Sequence, residues 1–171
     1  GLDASPVNIL VLEGVPGLAL ATRAAPHGIQ LFEEPLSHTD FAGYADLKQN
    51  TGMALAMGER EYDLVALREL ATRKAIDLWQ PDILRMGGGE GWLDSAALAR
   101  ELKVPALPHF YKEYDTALAC TIPDVHGVES FDWFDGLIDR PVRIEHGHAY
   151  PSDAPGWGFR FKDDKLKRFR L

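Results

Sequence analysis

The sequence contains little cysteine and no long hydrophobic run. Its 171 residues include a single cysteine, Cys120, which excludes an internal disulfide and leaves no cysteine–histidine spacing typical of a zinc site. No apolar run approaches the roughly 20 residues that span a bilayer, and no signal-peptide pattern is present. We therefore expect a soluble, cytoplasmic protein that has no membrane partner.

An excess of positive charge is also absent. The chain carries 26 acidic and 18 basic residues, for a formal net charge of −8, which argues against a nucleic-acid partner. Clustered carboxylates are instead the ligands that a hard divalent cation prefers. The hydrophobic content of 46% is typical of a folded domain, and the length is that of about one domain.

Short apolar runs alternate with segments of helical periodicity along most of the chain. Apolar residues recur at helical spacing over residues 64–71 and 92–103, with charged residues between them. Such alternation predicts βαβ units and a parallel sheet. The predicted strands cover residues 29–32, 53–57, 76–80, 104–107 and, more weakly, 125–128.

A titratable residue follows each predicted strand. The intervals between these residues are 26, 23, 27 and 20 positions, for Glu33, Glu59, Asp82, His109 and Glu129 in turn. In a (β/α)8 barrel the carboxyl ends of the strands meet at the face that carries the active site. A doubly wound sheet also binds ligands at strand ends, but the glycine-rich turn at 87–91 lacks the G-x-G-x-x-G pattern. The barrel is the favoured interpretation.

The chain is too short for a complete barrel of about 250 residues. It has room for five or six βα units, so we predict a partial barrel domain over residues 1–140. Residues 141–171 are predicted to form a C-terminal segment of irregular chain, with a short strand at 159–161. No regular helix is predicted over residues 6–17, because they contain two prolines and two glycines.

Five motifs occur in a characteristic order. They are Phe32-Glu33-Glu34-Pro35, Gly58-Glu59, Gln80-Pro81-Asp82 with Gly87-Gly88 after it, His109, and Glu129. Together they resemble the mandelate racemase branch of the enolase superfamily, from about residue 19 to the end of the chain. The resemblance implies the C-terminal part of a barrel domain, roughly strands 3/4 to 8. It also implies that the N-terminal capping domain, toward which residues 141–171 would pack back, is absent.

The resemblance also implies a magnesium site and a set of catalytic residues. Glu33 and Glu59 match two carboxylate ligands of Mg²⁺, and Asp3 is the candidate for the third. Asp82 and His109 match an Asp–His dyad in which His109 is the base, and Glu129 matches the acid that hydrogen-bonds the substrate carboxylate. Outside the resemblance, Arg60 is a candidate contact for an anionic substrate, with a solvated loop cation as the alternative.

The implied reaction is abstraction of the proton alpha to a carboxylate, with Mg²⁺ stabilising the charge that develops. A dehydratase acting on an acid sugar is the first interpretation. A racemase or epimerase acting on a 2-hydroxy acid is the second, although the lysine motif of the second barrel strand is absent. The third is an inactive fragment that needs partner chains. Because a partial barrel leaves unpaired sheet edges, we expect a homo-oligomer.

Overall fold

The computed structural model describes residues 9–11, 17–29, 31–125 and 127–169 of the chain. Two 3₁₀-helices, Ala25–His27 and Lys167–Phe169, accompany the other elements. None of the helices in these ranges has the length and apolar character needed to cross a membrane. In chain order the strands and α-helices are β1 (Ile9–Val11), α1 (Gly17–Ala24), β2 (Leu31–Glu33), α2 (Phe41–Thr51), β3 (Leu55–Met57), α3 (Val65–Thr72), β4 (Leu78–Trp79), α4 (Gly89–Glu101), α5 (Lys112–Ala119), β5 (Arg143–Glu145), β6 (His148–Tyr150) and α6 (Asp163–Leu166).

The first four strands form a parallel sheet in the order β1-β2-β3-β4. Parallel bridges from Trp79 to Ala106 and from Ala106 to Val125 continue the same order at two further positions. The predicted strand–helix alternation is therefore confirmed, with shorter strands than expected. Each unit lies beside the preceding one, without the reversal of strand order that defines a doubly wound sheet. This order supports the barrel interpretation.

Strand β1 lies in a stretch where the sequence analysis assigned no element. Ile9 pairs with Leu31 and Val11 with Glu33 in parallel register. The three apolar residues of β1 suit a strand, and the prolines and glycines that argue against a helix lie outside it. Asp3, the candidate third metal ligand, lies outside the described residues.

The main core lies between the sheet and the helices that cover it. Phe32 of β2, Leu55 of β3 and Leu67 of α3 are completely buried there. Trp79 of β4 is also buried, and its indole N–H donates a hydrogen bond of 2.6 Å to the Ser95 hydroxyl on α4. These contacts hold the outer helices against the strands.

The C-terminal segment contains more regular structure than predicted. β5 and β6 pair as an antiparallel hairpin, and its two turn residues, His146 and Gly147, have φ values of 50° and 76°. This turn geometry matches the right-handed twist of the two strands. The strand expected at 159–161 is limited to a single antiparallel bridge between Ile138 and Phe161. The boundary at residue 140 stays a prediction.

Candidate functional site

The residues that follow the parallel strands meet at one end of the sheet. Glu33 is the last residue of β2, and the other four follow β3, β4 and the bridges at Ala106 and Val125. Direct contacts and mutual electrostatic effects join all five of them. The structure therefore brings together the residues predicted on this face, which are Glu33, Glu59, Asp82, His109 and Glu129. Their chemical roles stay predictions.

His109 is held between two carboxylates. Its Nδ1 lies 2.9 Å from Oδ2 of Asp82, and its Nε2 lies 3.1 Å from Oε2 of Glu59. Asp82 is itself fixed, because its other oxygen accepts hydrogen bonds from the backbone N–H groups of Leu84 and Arg85 at 2.8 and 3.0 Å. The turn after β4 thus orients Asp82, and Asp82 orients the imidazole ring.

The two carboxylates control the charge of the imidazole. Burial alone would lower the pKa of His109, but the hydrogen bonds with Asp82 and Glu59 outweigh burial and raise the pKa to about 10. Both ring nitrogens then act as donors. The hydrogen bond from His109 is likewise the main reason that the pKa of Glu59 lies below its ordinary value.

Glu33 and Glu59 form a pair of neighbouring carboxylates. Glu33 is only 6% exposed. Burial raises its pKa above the ordinary value, the side-chain amide of Gln80 opposes the rise, and the charge of Glu59 adds to it. Gly58 sets the path of the chain before Glu59 with a φ of 141°, and a Cβ there would lie 2.9 Å from the backbone nitrogen of Gln80. The close approach of β3 and β4 therefore requires glycine at this position.

Two arginines lie beside Glu59. Nε of Arg60 lies 2.8 Å from Oε2 of Glu34 and 3.8 Å from Oε1 of Glu59. Nη1 of Arg85 donates to the backbone carbonyl of Glu59 and lies 3.7 Å from its Oε1. The structure thus places Arg60, the candidate substrate contact, against two carboxylates of the protein, and its role toward substrate stays a prediction.

Glu34 and Arg85 received no role from the sequence analysis. Glu34 is 5% exposed, and burial followed by the charge of Glu59 raises its pKa to about 7. The doubled acid Glu33-Glu34 was a usable signal for this residue. No local sequence pattern indicated a role for Arg85, because the turn that follows β4 brings it close to Glu59.

Glu129 is positioned by the backbone that follows His109. Its Oε2 accepts a hydrogen bond of 2.8 Å from the N–H of Phe110. Phe110 adopts a φ of 73°, a left-handed conformation that costs a non-glycine residue about 1 kcal/mol or more. Burial raises the pKa of Glu129, and the Phe110 hydrogen bond partly opposes this rise. The strained backbone therefore directs a donor toward the partly buried carboxyl group of Glu129.

The first turns of α5 contain charged residues that are buried. Lys112 is 1% exposed, and its ammonium lies 2.7 Å from Asp132 and 3.0 Å from Asp135. Asp115 is completely buried, and neither of its carboxyl oxygens forms a hydrogen bond within the described residues. Burial, followed by the charge of Asp82, raises the pKa of Asp115 to about 9. The sequence analysis missed these buried groups because a charged first turn is typical of an exposed helix.

The chemistry of the strand-end residues fits a hard cation. Glu33 and Glu59 supply carboxylate oxygens at the ends of adjacent strands, and the negative charge of Glu59 raises the pKa of Glu33. A divalent cation between them would relieve this repulsion. In the part of the chain that the structure describes, however, no three histidine, cysteine, aspartate or glutamate side chains converge closely enough to hold a metal. The roles of Glu33 and Glu59 as metal ligands therefore stay predictions.

Comparisons with known proteins place the fold in a family context. The enolase C-terminal domain-like family model matches residues 16–165. D-gluconate dehydratase from Thermoproteus tenax is 28% identical, over 88% of this chain and 32% of its own length. The crystal structure of L-talarate dehydratase from Polaromonas sp. JS666, complexed with Mg and L-glucarate, is 28% identical with a TM-score of 0.79, over 86% of this chain and 40% of its own.

A further structural neighbour carries a different activity in its name. A racemase from Streptomyces coelicolor A3(2) with bound magnesium has a TM-score of 0.85 at 22% identity, over 91% of this chain and 43% of its own. This likeness supports the fold alone. The chain thus spans about a third of its curated relative and about two fifths of these solved structures.

Proposed function

Because the chain belongs to the enolase C-terminal domain-like family, we propose that it carries the base and two metal ligands of an enzyme that removes the proton alpha to a carboxylate. One observation carries this proposal: His109 contacts Asp82 through Nδ1 and Glu59 through Nε2. A base oriented by one carboxylate and adjacent to a second carboxylate that can hold a metal ion suits such chemistry.

Glu33 and Glu59 are the residues that would hold the cation. A bound Mg²⁺ supplies electrostatic stabilisation of the negative charge that develops on the substrate carboxylate. A cation held by Glu59 would compete for the carboxylate that Nε2 of His109 contacts here, and loss of that contact would lower the pKa of His109 and free Nε2 for the substrate. Asp82 keeps its hydrogen bond to Nδ1, so Nε2 is the atom that accepts the alpha proton.

We propose an acid-sugar dehydratase as the specific activity. Nε2 of His109 takes the alpha proton, and the electron pair of the broken C–H bond forms a carbon–carbon double bond. This double bond first joins the alpha carbon to the carboxylate carbon, and it shifts toward the adjacent carbon as the hydroxyl group there leaves with the proton that His109 returns. One water is released, and the resulting enol tautomerises to the 2-keto acid. Glu129, whose partly buried carboxyl group has a raised pKa, donates to the substrate carboxylate in its protonated form. The similarity to D-gluconate dehydratase supports this class of substrate.

Proton exchange and product analysis together test the proposal. The chain is incubated in D₂O with Mg²⁺ and a panel of aldonic and aldaric acids, including D-gluconate and L-glucarate, and is followed by NMR. We expect a 2-keto-3-deoxy acid from at least one member of the panel, and neither product nor exchange with His109→Asn. His148→Asn, at an exposed position in β6, is the matched control and should behave as the parent.

The remaining outcomes separate the alternatives. Deuterium incorporation with inversion at the alpha carbon but without water loss would replace the dehydratase by a racemase. The absence of both product and exchange, in a chain that folds and binds Mg²⁺, would contradict catalysis by this chain and favour the inactive fragment.

A further inference from the structure

A small cavity lies between α5 and the C-terminal segment. Its volume is about 160 Å³, and none of the five strand-end residues lines it. Ring centroids lie 5.2 Å apart for Tyr114 and Phe159, and 5.9 Å apart for Tyr111 and Phe134. We call it the aromatic cavity, after the five rings in its wall: Tyr111, Tyr114, Phe134, Phe159 and Phe161.

A buried carboxyl group also lines the aromatic cavity. Glu113 is 5% exposed, and its Oε1 forms no hydrogen bond within the described part of the chain. The neighbouring Lys112 does not neutralise it by direct contact, because the Lys112 ammonium lies against Asp132 and Asp135 instead. Burial raises the pKa of Glu113 above its ordinary value. A buried carboxyl oxygen without a hydrogen-bond partner is costly, and a cation entering the cavity would offset this cost electrostatically.

The composition of the wall selects the kind of cation. Faces of aromatic rings attract cations, and aromatic cages are a known means of recognising quaternary ammonium groups. A primary ammonium carries three N–H donors that need acceptors. Among the described lining residues, the Glu113 oxygen is the single buried side-chain acceptor that lacks a partner. A fully methylated ammonium has no N–H donor to satisfy, so it fits this wall better.

The volume of the cavity limits the size of the ligand. About 160 Å³ is well below the roughly 300–1,000 Å³ of sites that take drug-sized molecules. The cavity therefore accepts a compact head group, while the rest of the ligand extends past Leu84 and Phe161, which are 62% and 42% exposed at the rim.

We propose that the aromatic cavity binds the N-methylated ammonium head group of a small molecule, with Glu113 as its counter-ion. The site lies outside the strand-end cluster, and its occupation requires neither a metal ion nor the proposed proton abstraction. The two proposals therefore stand or fall independently.

Choline and its uncharged isostere 3,3-dimethylbutan-1-ol test the proposal directly on the unsubstituted chain. The two molecules share the same shape and differ in the charge of the head group. In calorimetric or ligand-observed NMR titrations, we expect choline to bind about tenfold more tightly than the neutral alcohol. Equal affinity for the two molecules, or no saturable binding of choline, would overturn the proposal.

Two substitutions locate the site. Glu113→Gln removes the charge at constant shape, and Phe159→Leu removes one ring of the wall, so each should reduce the affinity for choline about threefold to tenfold. Phe169→Leu is the matched control, because Phe169 is 60% exposed and outside the aromatic cavity. If both cavity variants fold, as judged by circular dichroism, and bind choline like the parent, the assignment is wrong. Should either variant fail to fold, the comparison of choline with its isostere decides.

Discussion

The regions of β2 to β4 and of Ala106 to Glu129 position their functional side chains in different ways. β2, β3 and β4 pair through backbone ladders, and most of the main core covers them. Beyond β4, parallel pairing is reduced to single bridges at Ala106 and Val125. The core cluster against which that region packs is smaller, and its four buried members are Ile83, Trp92, Ala96 and Leu118.

Side-chain contacts replace the backbone ladder in the later region. Asp82 holds His109, the N–H of Phe110 holds Glu129, and Lys112 holds Asp132. Glu33 and Glu59, the proposed metal ligands, are thus placed mainly by strand pairing. His109 and Glu129, the proposed base and acid, depend instead on individual polar contacts. Three substitutions test this difference.

The largest effect on the free energy of unfolding is expected from a substitution in the main core, which covers β2 to β4. Leu67 of α3 is completely buried in the main core, so Leu67→Ala should lower the free energy of unfolding by about 3 kcal/mol through lost burial and a residual cavity. Val65→Ala, on the same helix but with Val65 63% exposed, should change it by less than about 0.5 kcal/mol. Urea denaturation measures both values. Equal effects of the two substitutions would show that the main core does not form as described.

The pH dependence of stability tests the buried acid beneath the dyad. The pKa of Asp115 is about 9 in the folded chain, against an ordinary value of 3.8, so the folded state binds this proton more tightly. Its contribution to stability is complete below about pH 4 and is lost as the pH rises toward 9, by up to about 1.4 kcal/mol per pH unit. Asp115→Asn should remove this slope in urea denaturation between pH 5 and pH 8.

Asp94→Asn is the control for that measurement, because Asp94 lies exposed on α4 and should leave the slope unchanged. If the free energy of unfolding changes with pH in the same way for the parent and for Asp115→Asn, Asp115 is not held protonated in the folded chain.

The smallest effect on the free energy of unfolding is expected from removing one polar contact in the region that follows β4. Lys112→Met keeps the buried side-chain stem and removes the ammonium from Asp132 and Asp135. We expect a loss of about 1 kcal/mol in the free energy of unfolding. Hydrogen exchange should become faster over residues 129–135 and stay unchanged in β2 and β3. Lys74→Met, at an exposed position, is the control. Equal acceleration in β2 would contradict the separation of the two regions.

The sequence predicted the parallel strands and the residues at their carboxyl ends better than any other part of the molecule. Bounded apolar runs located β2, β3 and β4, and one titratable residue after each run located the site, because parallel strands place their carboxyl ends on one face. The apolar run of β1 was missed because the prolines and glycines around it dominated the interpretation. The hairpin of β5 and β6 was missed because its strands are largely exposed and have no alternating apolar pattern.

Burial of charged groups could not be predicted from local sequence. Lys112, Glu113 and Asp115 occur together near the start of α5, a pattern typical of a solvated helix face. Lys112 pairs with Asp132 and Asp135, and Glu113 lies beside residues of the C-terminal segment; both partners are distant in the chain. The pairing of Arg60 and Arg85 with acids likewise depends on how neighbouring loops pack.

Calorimetric titration of Mg²⁺ into the chain tests the central claim most directly, since Glu33 and Glu59 are proposed to hold a cation at adjacent strand ends. We predict a saturable isotherm for the parent, and affinities reduced about tenfold or more for Glu33→Gln and Glu59→Gln. Glu69→Gln, on the exposed face of α3, should bind like the parent. A folded parent that binds no Mg²⁺, or binds it no better than the Glu33→Gln and Glu59→Gln variants, would contradict the metal site.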